Sequence, residues 1–259
     1  MNNIKKVLND KLWRALKEGL DHVVYSRVKR YGQAASKAWM MVNDENFRVI
    51  NNVKNPVRNS LIESTARVGL FFGSFNPLTN AHVALAKGAV RSRWANEVWF
   101  VLSPANPAKV GKNVLADEEH RRNMMRIFLA KEDDPSLSLC EIEYDMPRPS
   151  YTHRTLEVLR ARNPKTDFRI LCGSDTLSKM LSWKNGDTLL KENRFICHMR
   201  GDDKPEWSEE VMKRVEIVEM DVPEISSTLV RGNISQGIAY NHLIPDSIAG
   251  YIKQNDLYR

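Results

Sequence analysis

The sequence predicts an open α/β fold, a parallel sheet flanked by helices, preceded by a helical extension of different character. Three observations carry this expectation. From Arg67 onward, short β-rich runs alternate with helix-patterned segments. Several of those runs are continuously apolar rather than alternating, as strands buried on both faces of a parallel sheet should be. Residues 1–66 share neither feature.

Taken in order, residues 1–66 open with Ile4, Leu8, Leu12, Leu16, Leu20 and Val24, an apolar repeat at four-residue spacing that predicts a helix. Gly32 interrupts it, a second helical stretch covers 33–42, and an Asn-rich segment with Pro56 reads as a linker. Strands are then predicted at VGLFF (68–72), EVWFVL (97–102), LSLCEIEY (137–144), FRILCG (168–173), RFICHM (194–199) and VEIVEM (215–220). Helices are expected near 80–93, 117–131, 152–162, 176–192, 206–214, 228–236 and 245–256. The division is therefore a basic helical extension and linker, 1–66, followed by one α/β domain, 67–259.

Charge follows the same boundary. The 259 residues carry a formal net charge of +7. Residues 1–66 hold 12 Lys and Arg against 6 Asp and Glu, whereas the rest hold 27 against 26. The basic balance is thus local and is no polyanion-binding signature of the whole chain. No apolar run approaches the ~18–20 residues that span a bilayer, and the N-terminus lacks the h-region of a secretory signal. Cys140, Cys172 and Cys197 lie singly in apolar stretches, an odd count without CxxC, which supports neither a disulfide framework nor a zinc site. A cytoplasmic protein with reduced core thiols is expected, with no membrane partner.

Ligands of open α/β sheets bind at the carboxyl ends of the strands, so the loops that follow strands carry the functional reading. The first is Gly73-Ser74-Phe75-Asn76-Pro77-Leu78-Thr79-Asn80-Ala81-His82. Gly73 allows close backbone approach, and a helix starting near Asn80 points unpaired N–H groups at the same place. His82 falls in that helix's first turn. The loop is not GxGxxG, and no GxxxxGK[ST] occurs, so dehydrogenase and P-loop kinase readings lack support. The loop after the second strand carries Lys109 and Lys112. The fourth loop offers Gly173 and Asp175, with Trp183 further on, suited to ribose hydroxyls and a flat ring. The last, Ile225 to Arg231, presents Ser226, Ser227, Thr228 and Arg231 at another helix start, a second anion-binding element. Two such elements suggest a triphosphate held between them. There is no carboxylate cluster for two-metal chemistry and no nucleophile–base pair, which favours direct transfer by positioning and charge stabilisation.

At this point the resemblance is specific. GSFNPLTNAH resembles the GxFxPxTxxH signature, of the H/TxxH type, of the nucleotidyltransferase superfamily, and ISSTLVR resembles its second signature, ISSTxxR. PSYTHRTLEVLR is similar to the PSYTxxTL segment, and GSDTLSKMLSWK to the GxDxLxxLxxWK segment, of nicotinamide/nicotinate mononucleotide adenylyltransferases. The first motif alone leaves pantetheine-phosphate adenylyltransferases and cytidylyltransferases open; the other segments narrow it to the pyridine-nucleotide branch. The resemblance implies a Rossmann-like fold and transfer of AMP from ATP to nicotinamide mononucleotide, with nicotinate mononucleotide as a second acceptor, by in-line attack. His82, Arg231 and Thr79 would be catalytic, His82 on the ATP α-phosphate. Gly73, Ser74, Phe75, Lys112 (or Lys109), Gly173, Asp175, Ser227, Thr228 and Arg231 would bind ATP. Tyr151, Thr152 and Trp183 would hold the pyridine mononucleotide. Mg2+ would be carried chiefly by ATP and pyrophosphate, with no metal site on the protein. Rival readings are a non-catalytic NAD- or ATP-binding regulator with a nucleic-acid-binding N-terminal module, and a phosphopantetheine adenylyltransferase. Intact His82 and Arg231 speak against the first, and residues 31–47 lack a turn glycine placed between two short helices, so nucleic acid is not an expected partner. A homo-oligomer is left open.

Overall fold

The computed structural model describes residues 66–107, 115–199, 207–218 and 221–259; the expected extension and the lysine loop of Lys109 and Lys112 lie outside the described residues. Six strands form one parallel sheet: β1 (Ala66–Gly73), β2 (Glu97–Leu102), β3 (Leu137–Cys140), β4 (Thr166–Gly173), β5 (Arg194–His198) and β6 (Val215–Val218). Their spatial order is β3-β2-β1-β4-β5-β6, so the chain first winds outward from β1 one way and then, from β4, the other. This is the open, Rossmann-like sheet expected. Its switch point lies between β1 and β4, which pair from Ala66↔Thr166 to Leu70↔Ile170.

Continuous apolarity in the strands has the expected cause. Phe71, Val98, Phe100, Leu102, Leu171 and Ile196 join a core on one face. There they meet α1 (Asn80–Arg91), α2 (Glu118–Glu132), α7 (Ser227–Ser235) and α8 (Asp246–Gln254) through Leu85, Met124, Met125, Phe128, Val230, Ile248 and Ile252. Strand residues of the other parity, Leu70, Trp99, Val101 and Ile170, are equally buried, so both faces of the sheet are covered. No helix among the described residues is long and apolar enough to cross a membrane.

Two predicted elements end early or break. LSLCEIEY stops as a strand at Cys140, because Ile142–Asp145 coil into a short 3-10 helix that buries Ile142 and Glu143. The helix expected at 176–192 is split into α4 (Ser174–Lys179), a 3-10 turn (Met180–Ser182) and α5 (Gly186–Glu192). Asn185 takes a left-handed φ of 58° at the break, and Trp183 is left extended between the pieces. The remaining segments are α3 (Thr152–Arg162) and α6 (Glu209–Met212).

Gly186 is what allows that break. A Cβ there would stand 2.1 Å from the Met180 carbonyl oxygen and 2.8 Å from that of Leu181, both backbone atoms with little room to yield. Gly186→Ala should therefore destabilise the domain by about 1–3 kcal/mol, seen as a lower midpoint in chemical denaturation. An unchanged midpoint would show that the turn relaxes freely.

Candidate active site

The post-strand loops meet above the β1/β4 switch and are bonded to one another. Gly73 ends β1, and its carbonyl accepts the Ser103 N–H from the loop after β2 at 2.9 Å. The Ser150 N–H, in the loop before α3, donates to Ala105 O at 3.0 Å. A Cβ on Gly73 would fall 2.8 Å from the Phe75 ring, so glycine is what lets the loop fold back on its own strand end. Phe75 takes a left-handed φ of 41°, a conformation costing a non-glycine residue roughly 1–3 kcal/mol. The surrounding packing sustains it: its ring meets those of Phe71, Phe100 and His82 edge-on at centroid distances of 5.4–5.6 Å.

Thr79 and His82 form one unit at the start of α1. Thr79 is fully buried and caps the helix, its hydroxyl accepting the His82 N–H at 3.4 Å. In return the Thr79 backbone N–H donates to His82 Nδ1 at 3.0 Å, and the hydroxyl lies 2.7 Å from the same nitrogen. This is a capping box in which histidine takes the place usual for Glu or Gln. A backbone N–H can only donate, so Nδ1 accepts and the neutral imidazole carries its proton on Nε2. Thr79, expected as a catalytic residue, sets both the ring's angle and its tautomer. Phe71 and Phe75 flank the ring and hold it in place.

The two elements expected to bind anions, some 145 residues apart in sequence, are joined directly. Ser227, the first residue of α7, donates its hydroxyl to Pro77 O at 2.8 Å. Arg231 Nη1 donates to Asn76 O at 2.8 Å, and Nη2 to the Thr228 hydroxyl at 3.3 Å. Ser226 rather than Ser227 caps α7, accepting the Leu229 N–H at 3.1 Å. The helix N-terminus and the Arg231 cation therefore both face the first loop.

Across the switch, Gly173 ends β4 and caps α4, which puts Asp175 in that helix's first turn. Trp183 follows at the break before α5. Tyr151 caps α3 and Thr152 begins it. The His153 ring lies 5.8 Å from the Tyr151 ring, and the Arg154 guanidinium 5.3 Å from its centroid.

Three residues that the motif reading did not use organise the loops. Arg121 is only 1% exposed. Its Nε donates to Ala116 O, Nη1 to Ser74 O and Ser103 O, and Nη2 to Pro104 O, at 2.7–3.3 Å. A signal existed: Arg121 falls on the face of α2 that carries Met124, Met125 and Phe128, so it is a cation in an apolar stripe. Asn76 is the second. It lay inside the first motif but its side chain had no assigned role; its Oδ1 accepts the Ala116 N–H at 3.0 Å. Glu143, 3% exposed, accepts the Thr155 hydroxyl at 2.9 Å beneath the start of α3. The 3-10 turn that buries it left no sequence signal.

Comparison with known proteins agrees with this geometry. The cytidylyltransferase-like family signature matches residues 70–233. A probable nicotinate-nucleotide adenylyltransferase of Flavobacterium johnsoniae is 31% identical over 194 residues, covering 74% of this chain and 99% of the relative. One from Carboxydothermus hydrogenoformans is 35% identical over 202 residues, covering 75% and 98%. Among solved structures, nicotinic acid mononucleotide adenylyltransferase of Plasmodium falciparum, complexed with NaAD, is similar with a TM-score of 0.63 and 25% identity over 74% of this chain and 97% of that one. The chain belongs to the nicotinate-nucleotide adenylyltransferase family, within the cytidylyltransferase-like group.

Two outcomes follow from the buried charges. Arg121→Met would strip four carbonyls of their donor, so a loss of at least ~3 kcal/mol in denaturant titration is expected. Arg121→Lys should not restore it, because an ammonium cannot span the fork. Burial pushes the Glu143 carboxyl above its ordinary 4.5, with the Thr155 hydroxyl drawing it partly back. A carboxyl raised in the folded state contributes stability below the unfolded value and loses it as pH rises through the folded one. Glu143→Gln, which still accepts from Thr155, should raise Tm at pH 7 and flatten the fall in Tm from pH 4.5 upward.

Proposed function

We propose that this protein transfers the adenylyl group of ATP to nicotinate mononucleotide, forming nicotinate adenine dinucleotide and pyrophosphate. The observation that carries the reading is the Thr79–His82 box: it fixes an Nε2–H donor at the mouth of a loop whose opposite wall is the α7 N-terminus with Arg231.

The mononucleotide's 5′-phosphate oxygen attacks the α-phosphorus of ATP. The bond from that phosphorus to the α–β bridging oxygen breaks, and pyrophosphate leaves with the electron pair. The attacking phosphate is already ionised at neutral pH, so no general base is required. Charge building on the α-phosphate is met by His82 Nε2–H and the Ser74 and Phe75 backbone amides. Ser227, Thr228 and Arg231 face the β- and γ-phosphates, and the positive charge of Lys112 or Lys109 would help to balance theirs. Arg231 comes to this task already oriented, since one end of its guanidinium is bound to Asn76 O. Gly173 and Asp175 hold the adenosine, the carboxylate accepting from ribose hydroxyls. Tyr151, Thr152 and Trp183 hold the pyridine ring.

ATP enters as its Mg2+ complex. The groups the protein turns toward the triphosphate are amides, hydroxyls and cations, which suit phosphate oxygens rather than a metal, so the ion travels with the nucleotide. The sequence reading leaned to the amide form of the acceptor. The acid is adopted here because the matched relatives are named for nicotinate, and a carboxylate suits the helix N-terminus at Thr152.

Initial rates with ATP and each mononucleotide test this, with kcat/KM for nicotinate mononucleotide expected at least ~10-fold above that for the amide, a gap of about 1.4 kcal/mol. His82→Ala should lower kcat by about 10²–10³-fold, with a fall in Tm as well because the buried Thr79 N–H loses its acceptor. Equal or better use of the amide would reverse the acceptor, turnover of phosphopantetheine would favour that rival, and a wild type as silent as the variant would make the protein a binder.

A further inference from the structure

Residues 246–258 are built into the ATP side of this site. α8 buries Ile248 and Ile252 in the main core. Its Tyr251 hydroxyl receives Asn123 Nδ2 at 3.2 Å and lies 2.9 Å from His120 Nδ1, which fastens the helix to α2. Beyond Asn255 the backbone turns left-handed at Asp256 (φ 52°) and again at Tyr258 (φ 70°). Between them the Leu257 N–H returns to Ile252 O at 3.1 Å, and the Leu257 side chain is buried. The double reversal brings the Tyr258 hydroxyl to Asn76 Oδ1, to which it donates at 2.9 Å.

That oxygen also accepts the Ala116 N–H, while the Asn76 carbonyl accepts Arg231 Nη1. Asn76 is 1% exposed, so its amide is shut off from bulk solvent. We infer that Tyr258, the penultimate residue, is a positioning residue for ATP: through Asn76 it fixes the backbone that anchors Arg231 and presents the Ser74 and Phe75 amides. Two left-handed non-glycine residues within three positions persist only where something beyond them holds the chain, and the Tyr258–Asn76 bond does so. The phenol must keep its proton to donate. Burial pushes its pKa up, against the pull of the Arg231 and Arg121 charges, so it is a donor at neutral pH.

The inference rests on the adenylyltransferase reading, and its test separates the two. Tyr258→Phe keeps the buried ring and removes one hydroxyl; Tyr251→Phe removes a hydroxyl from the same C-terminal element with no bond to Asn76. The measurements are KM for each substrate, Tm, and the Kd of ATP by calorimetry. Tyr258→Phe is expected to raise KM and Kd for ATP about 5- to 20-fold, the effect of one or two hydrogen bonds, and to leave KM for the mononucleotide within about twofold. Tyr251→Phe should lower Tm while leaving both KM values within about twofold. ATP parameters unchanged in Tyr258→Phe would overturn the inference. So would a parallel weakening of both substrates tracking lost Tm in both variants, which is what simple loosening produces. Should wild type turn over no mononucleotide, the functional reading fails, and the calorimetric Kd of ATP still decides the role of Tyr258.

Discussion

A buried guanidinium holds the site together. Arg121 is removed from water and is solvated by four backbone carbonyls drawn from the loops after β1 and β2 and from the entry to α2. Burial lowers its pKa from the ordinary value, but an arginine keeps its charge in a protein. Its charge is met by the dipoles of those four carbonyls. The same four bonds fix how far apart those loops stand.

Around that strut the site is preorganised by bonds within the protein. His82 is aimed by Thr79, Arg231 by Asn76, and Asn76 by Ala116 and Tyr258. Such a site reorganises little as charge builds, which is where electrostatic catalysis gains most. The start of α3 is built in the same manner. Glu143 lies under the start of α3 and bonds Thr155, whose hydroxyl also reaches Tyr151 O at 3.3 Å, so the turn that carries Tyr151 and Thr152 is pinned from beneath.

Much of the site was legible because its parts are local. A glycine at a strand end, a Thr-x-x-His spacing at a helix start and a Ser-Ser-Thr before α7 each declare their geometry within a few residues. Strand and helix order was legible for the same reason, since apolar runs and helical periods are short-range patterns. The errors came where tertiary packing overrode local preference. Apolar content carried LSLCEIEY forward as a strand past Cys140, but Ile142 finds its burial in a 3-10 turn. Helical spacing ran straight through 176–192, but Gly186 lies so close to the Met180 carbonyl that the chain turns there.

By itself the sequence determined the α/β order, the helix starts at Asn80 and Ser227 and the family, since these rest on residue types at fixed short spacings. Only the tertiary structure decided what each residue does there. It made Thr79 the group that sets the tautomer of His82, gave Arg121 its four carbonyl partners and brought Tyr258 to Asn76. The physical reason is separation: Arg121 lies 47 positions from Ser74, and Tyr258 lies 182 from Asn76. Contacts between residues that far apart leave no periodic trace, and folding alone brings them within a hydrogen bond's length.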